Sequence, residues 1–152
     1  MKSLLILTLI ARLTKSDHRK ESSANFSTQD SHQNLSVLLY YQDVACNITI
    51  NRQPAGHALV KNEIDIGLIK ANRLHLIECK TKRFEQGADV LYKLDSLRDL
   101  MGGLQSRTML VSFNNLDKIS RARAKELDIQ LCCHTELRNL QHHLQLWLTN
   151  ER

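Results

Sequence analysis

The sequence has few aromatic residues and no recognisable cysteine or glycine motif. Aromatic residues make up 5% of the 152 positions, which argues against the base-stacking platforms of single-strand-binding proteins. There is no glycine-rich phosphate loop and no internal repeat. The four cysteines contain no C-x-x-C pair, so neither a zinc knuckle nor a disulfide framework is predicted. We expect them to be small core residues in a reducing, cytoplasmic compartment.

No apolar run is long enough to span a bilayer. The N-terminal run covers only residues 1–13, which is shorter than a membrane-spanning helix requires. No small-residue cleavage site precedes the polar stretch 14–33, so secretion is the less favoured alternative. We predict that residues 1–34 form an apolar segment and polar linker, that residues 35–152 form one globular domain, and that the protein has no membrane partner.

The charge balance is moderately basic. Lysine and arginine number 21 against 16 acidic residues, which gives a net charge of +5. This excess fits a phosphate-bearing partner such as nucleic acid, although many basic proteins bind none.

Residues 62–80, NEIDIGLIKANRLHLIECK, have the pattern of a β-hairpin. Apolar residues alternate on both sides of a polar break at residues 70–73, which has the composition of a tight turn. If the hairpin is symmetric about the Ala71–Asn72 bond, Asp65 lies opposite Glu78. Side chains two residues apart share a face, so four charged side chains are predicted on one face, namely Glu63, Asp65, Glu78 and Lys80. The other face is predicted to carry Ile64, Ile66, Leu68, Ile77 and Cys79, together with a packed His75.

Two opposed carboxylates in apolar surroundings repel each other and are costly to bury. A divalent cation such as Mg²⁺ would remove this conflict, because it binds one or two carboxylates together with water and substrate phosphate. We therefore predict that Asp65 and Glu78 are ligands of Mg²⁺ or Mn²⁺. Lys80 would share their face and could act on a water or offset charge on a phosphate. A salt-bridged surface hairpin is the alternative.

The remainder of the chain alternates between helices and strands. Strands are predicted at 35–41 and 44–51, the first of which could equally end a helix, with a connection at 52–61. After the hairpin come a helix ending near Gly102, a strand at 107–113, a helix to Leu127 opened by 114–117, a strand at 129–133 and an amphipathic helix at 135–148. Arg121, Arg123 and Lys125 could contact a phosphate backbone or simply face solvent. This order predicts an α/β fold with a mixed central sheet flanked by helices.

An acidic residue on one hairpin strand and E-x-K on the next resembles the PD-(D/E)xK nuclease superfamily, which has a restriction-endonuclease-like fold. The runs 62–81, 88–104, 109–113 and 121–129 look like the C-terminal nuclease domain of the CARF-fused CRISPR ancillary nucleases, in which a sensor for cyclic oligoadenylate precedes the nuclease.

The resemblance implies metal-dependent endonuclease cleavage of DNA, with RNA left open, in antiviral defence. It assigns catalytic positions to Asp65, Glu78 and Lys80, with a less defined motif role for Glu63. It also offers Tyr92 and Lys93 as substrate-contacting or supporting residues and implies a homodimer. The matched runs leave no room for a sensor domain, so regulation by cyclic oligoadenylate is not carried over.

Two functions from different classes therefore remain open. The first is a metal-dependent endonuclease. The second is a catalytically inactive nucleic-acid-binding or assembly module, derived from a larger sensor-nuclease. Affinity for divalent metal distinguishes them.

Overall fold

The computed structural model describes residues 43–52, 58–81, 87–102 and 105–149, and these form one five-stranded mixed sheet flanked by helices. The predicted linker at 1–34 and the predicted strand at 35–41 lie outside the described residues. In chain order the elements are β1 (Asp43–Arg52), β2 (Val60–Lys70), β3 (Arg73–Lys80), α1 (Gly87–Met101), β4 (Arg107–Ser112), α2 (Lys118–Glu126), β5 (Ile129–Cys133), a 3₁₀ helix (His134–Asn139) and α3 (Leu140–Thr149).

The strands lie in the sheet in chain order. β1, β2 and β3 pair antiparallel, whereas β3, β4 and β5 pair parallel. The antiparallel pair β2–β3 needs only a tight turn, and each parallel pair is connected through a helix. The predicted α/β class and the mixed sheet flanked by helices are thus confirmed.

The β2–β3 hairpin has the predicted register. Lys70 pairs with Arg73 and Ile66 with Ile77, so the turn consists of Ala71 and Asn72 alone. Both have positive φ, at 50° and 59°, which is the backbone of a type I′ turn and matches the twist of the strands. The turn therefore fixes the register at the far end of the hairpin.

Each face of the sheet covers a separate hydrophobic core. One face packs against α3, and its buried residues include Ile66, Ile77, Met109, Val111, Cys132, Leu144 and Trp147. The other packs against α1 and α2, and its buried residues include Ile64, Leu76, Leu91, Leu94, Leu110, Ala124 and Cys133. Adjacent Cys132 and Cys133 point to opposite faces, and all four cysteines are free thiols.

At one point along β1 and β2, the alternation of side chains between the two faces of the sheet is reversed. Cys46 and Ile66 pack on the α3 face, but Ile48 and Ile64 pack on the α1–α2 face. The ladder between these two pairs is interrupted, because Cys46 pairs with Ile66 and Ile48 with Ile64, without a pair between them. The prediction that Ile64 shares a face with Ile66 is therefore wrong. The residue at the interruption in β1 is Asn47, whose φ of 52° breaks the alternation of an extended strand.

The last helix is anchored by cations at its carboxyl end. Lys70 Nζ donates to the Leu148 carbonyl at 2.6 Å, and Arg107 donates to the Trp147 carbonyl at 2.5 Å. These carbonyls lack partners within the helix and lie at the negative end of its dipole. His75 is buried, as predicted, with its ring edge-on to Trp147 at 5.1 Å between centroids.

The predicted single helix at 135–148 is wrong in its first part. Residues His134–Asn139 form a 3₁₀ helix, and α3 begins only at Leu140. Glu136 accepts a hydrogen bond from the Cys133 backbone N–H at 2.7 Å, which closes a tight turn directly after β5. Among the described residues, no helix combines the length and apolar character needed to cross a membrane.

Candidate active site

Asp65 lies at the point where β2 pairs with neither β1 nor β3. It occupies the position skipped in the β1–β2 ladder, and the pairing with β3 stops one residue later along β2, at Ile66. Its Oδ2 accepts a hydrogen bond from the Cys79 backbone N–H at 2.7 Å. A side chain thus takes the place of a ladder hydrogen bond and satisfies a buried N–H donor. This interaction ties the buried Asp65, 6% exposed, to the residue directly after Glu78.

Glu78 and Lys80 form an ion pair on β3. Lys80 Nζ lies 2.5 Å from Glu78 Oε1, and the two side chains are 27% and 5% exposed. Glu78 pairs with Leu110 of β4, a core residue of the α1–α2 face, so its carboxylate lies on that same face. The structure therefore brings together an almost completely buried carboxylate and a lysine that reaches solvent, beside the buried Asp65.

The segment after β4 is joined to the end of β3. The Phe113 N–H donates to the Lys80 carbonyl at 2.8 Å, and Asn114 Nδ2 donates to the Thr81 carbonyl at 3.1 Å. Asn114 was expected to help open α2, but the N-cap of that helix is Asp117, whose carboxylate accepts from Ser120 N–H at 2.7 Å. Sequence reasoning thus missed Asn114 as a residue beside the candidate site. Its position directly after a parallel strand was the available signal, because the carboxyl ends of parallel strands meet at one edge.

The other predicted site residues lie further out. The Glu63 side chain is 67% exposed and pairs with Lys61 of its own strand at 3.3 Å, so the structure does not join it to the Glu78–Lys80 pair. Lys93 Nζ donates to the Glu63 carbonyl at 3.2 Å, which places α1 against the strand that carries Asp65. Tyr92 is 44% exposed, and the Arg123 guanidinium lies 5.4 Å from its ring centroid.

The donor set at the β2–β3 junction fits a hard divalent cation. Asp65 and Glu78 offer carboxylate oxygens, which suit Mg²⁺ and Mn²⁺. Within 43–52, 58–81, 87–102 and 105–149, no group of three or more His, Cys, Asp or Glu side chains is placed to hold a metal ion. Among the described residues, Asp65 and Glu78 are the two ligands that such a cation would have, and water and substrate phosphate commonly complete the coordination of Mg²⁺.

Comparison with solved structures gives two close neighbours. Protein VC1899 from Vibrio cholerae is 42% identical, with a TM-score of 0.67, over 75% of this chain and 33% of that protein. Can2 from Sulfobacillus thermosulfidooxidans, solved in complex with cyclic tetra-adenylate, is 21% identical, with a TM-score of 0.71, over 98% of this chain and 36% of that protein. The second likeness concerns the fold alone. The chain spans about a third of the length of either relative.

No curated protein matches the sequence. A match to a protein family covers residues 27–151, and that family is described as "Card1-like, endonuclease domain". The matched region contains every strand and helix described above, including the whole junction of Asp65, Glu78 and Lys80. The chain belongs to the family of Card1-like endonuclease domains.

Proposed function

We propose that the protein is a divalent-metal-dependent endonuclease that hydrolyses phosphodiester bonds in DNA, with RNA as a second substrate to be tested. The observation that supports the proposal is a strand junction with two buried carboxylates, Asp65 and Glu78, of which Glu78 forms an ion pair with the partly exposed Lys80. Burial of two acidic groups is costly unless they are used or compensated. Lys80 compensates the charge of Glu78, and the carboxylate oxygens of both acids are ligands that suit a divalent cation.

The proposed chemistry divides between the carboxylates and the lysine. Asp65 and Glu78 would hold Mg²⁺ or Mn²⁺, which when bound would polarise the phosphate and neutralise developing charge. Asp65 is oriented for this by the Cys79 N–H, which occupies Oδ2 at 2.7 Å. The Lys80 ammonium would donate to the phosphoryl oxygen as negative charge develops. Its 2.5 Å contact with Glu78 keeps it at the junction, while its 27% exposure leaves it accessible to substrate.

Family membership supports two further parts of the proposal. We infer a role in CRISPR-associated defence and a homodimeric assembly, and light scattering of the purified protein tests the latter. Glu63, Tyr92 and Lys93 are proposed as supporting residues only, because their described contacts are with Lys61, Arg123 and the β2 backbone.

Cleavage assays with conservative variants test the proposal. Supercoiled DNA, single-stranded DNA and RNA are incubated with Mg²⁺, with Mn²⁺ or with chelator. We expect cleavage by wild type with metal and a loss of at least about 100-fold in Asp65→Asn, Glu78→Gln and Lys80→Gln, since each removes a charge that acts on the transition state. The controls are Asp99→Asn and Lys118→Gln, which make the same charge changes at exposed positions.

Metal binding is measured separately by thermal unfolding. At a metal concentration about 100 times Kd, binding stabilises the folded state by about 2.7 kcal/mol. For a chain of this size this raises Tm by about 5–10 °C. Asp65→Asn and Glu78→Gln should abolish the increase, whereas Asp99→Asn should retain it.

Two results would contradict the proposal. Cleavage that persists in Glu78→Gln and Lys80→Gln would mean that another site acts. If wild type binds nucleic acid but neither cleaves it nor responds to metal, the protein is a binding or assembly module instead.

A further inference from the structure

A basic groove runs along the outer edge of β5. Among the described residues β5 pairs only with β4, and the groove lies between α2 on one face of the sheet and α3 on the other. Its volume is about 510 Å³, and its rim carries Arg107, Arg121, Lys125 and His143 against one acid, Asp128. Its lining is partly apolar, with Leu131 half-buried and Leu146 exposed. The groove therefore combines a cationic rim with apolar surface.

Two of the rim cations have no carboxylate partner among the described residues. Arg121 donates to the Leu116 carbonyl at 3.3 Å and to Asn115 Oδ1, and both acceptors are neutral. Lys125 is exposed. Within the part of the chain that the structure describes, neither Arg121 nor Lys125 forms an ion pair. Arg121 is thus held in position while its charge stays available to an anion, and Lys125 can move to meet one.

The groove is connected to the candidate active site. Lys80 is followed by Thr81, whose carbonyl accepts from Asn114. Asn115, the residue after Asn114, accepts from Arg121, which lines the groove. A short chain of hydrogen-bonded residues thus crosses the carboxyl ends of β3 and β4 from the lysine of the site to the first cation of the rim.

We propose that this groove binds the sugar–phosphate backbone of the nucleic-acid substrate on one side of the bond that is cut. The inference rests on the proposed nuclease function and adds the path of the strand, from Lys80 over Asn114 to Arg121 and Lys125. The cationic rim suits phosphates, whose recognition needs charge and little sequence information. The apolar part of the lining can contact the sugars between them.

The test compares two lysines on the same helix. Lys125 lines the groove, whereas Lys118 is equally exposed on α2 but does not. Lys125→Gln and Lys118→Gln lose the same charge, and both sites tolerate the change because the side chains are at the surface. Binding of labelled oligonucleotides of about 4 and about 20 nucleotides is measured by fluorescence anisotropy at several salt concentrations, with chelator present so that cleavage does not interfere.

We expect Lys125→Gln to weaken binding of the long oligonucleotide by about 3–10-fold, and to reduce the salt slope by about 0.7–0.9, the value for one lost phosphate contact. The loss should be smaller for the short oligonucleotide, because about four nucleotides form few phosphate contacts and can bind away from Lys125. Lys118→Gln should bind both lengths as wild type does.

Equal losses of affinity in the two variants would reflect the general positive charge of the surface and would contradict the proposal that the groove binds nucleic acid. So would a change in oligomeric state in Lys125→Gln without a change in affinity, which would make the groove a contact between copies of the chain. The proposed function fails separately, since length-dependent binding at Lys125 without metal-dependent cleavage supports the groove and contradicts the nuclease.

Discussion

The two-residue turn at Ala71 and Asn72 sets the hairpin register on which the junction of Asp65 with Glu78 depends. Ala71 has φ of 50°, a left-handed conformation in which Cβ crowds the following carbonyl. The residue is exposed, so its replacement removes no packing. We therefore predict that Ala71→Gly stabilises the protein.

The expected gain is the difference between two terms. A left-handed alanine costs about 1–2 kcal/mol, which glycine does not incur. Glycine loses more backbone entropy on folding, which costs about 0.5–1 kcal/mol. The net increase in the free energy of unfolding is about 0.5–1 kcal/mol. In a chain of this size Tm would rise by about 1–4 °C.

Urea and thermal unfolding of wild type, Ala71→Gly and Ala122→Gly test this prediction. Ala122→Gly makes the same substitution at an exposed position inside α2, where glycine should cost about 1 kcal/mol. Ala71→Gly should move the urea midpoint upward and Ala122→Gly downward, with unchanged slopes. If both variants lose stability equally, Ala71 is not left-handed, and the turn and register assigned to the hairpin are wrong.

Two other predictions concern the cores and the helices. Burial, together with the charges of Arg107, Arg73 and Lys70, lowers the pKa of His75 to about 4, although the hydrogen bond to the Arg73 carbonyl opposes the shift. As the pH falls, the unfolded chain takes up the proton before the folded protein does, so the free energy of unfolding of wild type should decrease by about 2–3 kcal/mol between pH 7 and pH 4.5. Urea unfolding at each pH should show this decrease in wild type and not in His75→Phe. Arg98 donates to the Leu127 carbonyl at 2.7 Å and to Asp95 at 2.5 Å. Arg98→Ala should therefore lower the free energy of unfolding by about 1–3 kcal/mol, whereas Arg138→Ala, at an exposed position, should leave it unchanged. Equal effects of the two substitutions would show that the link between α1 and α2 is not stabilising.

The hairpin was predictable because two independent signals agree. Alternation specifies which residues share a face, and the polar break at residues 70–73 specifies the centre of symmetry. Together they predicted the register that the structure has. The catalytic roles of Asp65, Glu78 and Lys80 stay predictions until the variants are assayed.

The exchange of faces at Asn47 and Asp65 was not predictable from alternation, because alternation assumes an unbroken strand. Asparagine is enriched at positive φ, so Asn47 was a usable signal that was not read. The groove along β5 was only partly predictable: Arg121 and Lys125 were candidates on their own helix, whereas Arg107 and His143 come from β4 and α3 and have no local signal. Likewise, helical spacing in 135–148 does not distinguish a 3₁₀ turn from an α-helix over so few residues.

The order of elements has a consequence for synthesis on the ribosome. The helix that covers Met109, Val111 and Cys132 is α3, which follows all five strands in the chain. Among the described residues, that face of the sheet lacks its helical cover until α3 has emerged and Lys70 and Arg107 can bind its carboxyl end. A chain released before residue 140 would therefore expose an apolar, aggregation-prone surface on a sheet whose five strands are complete, a situation that chaperones relieve.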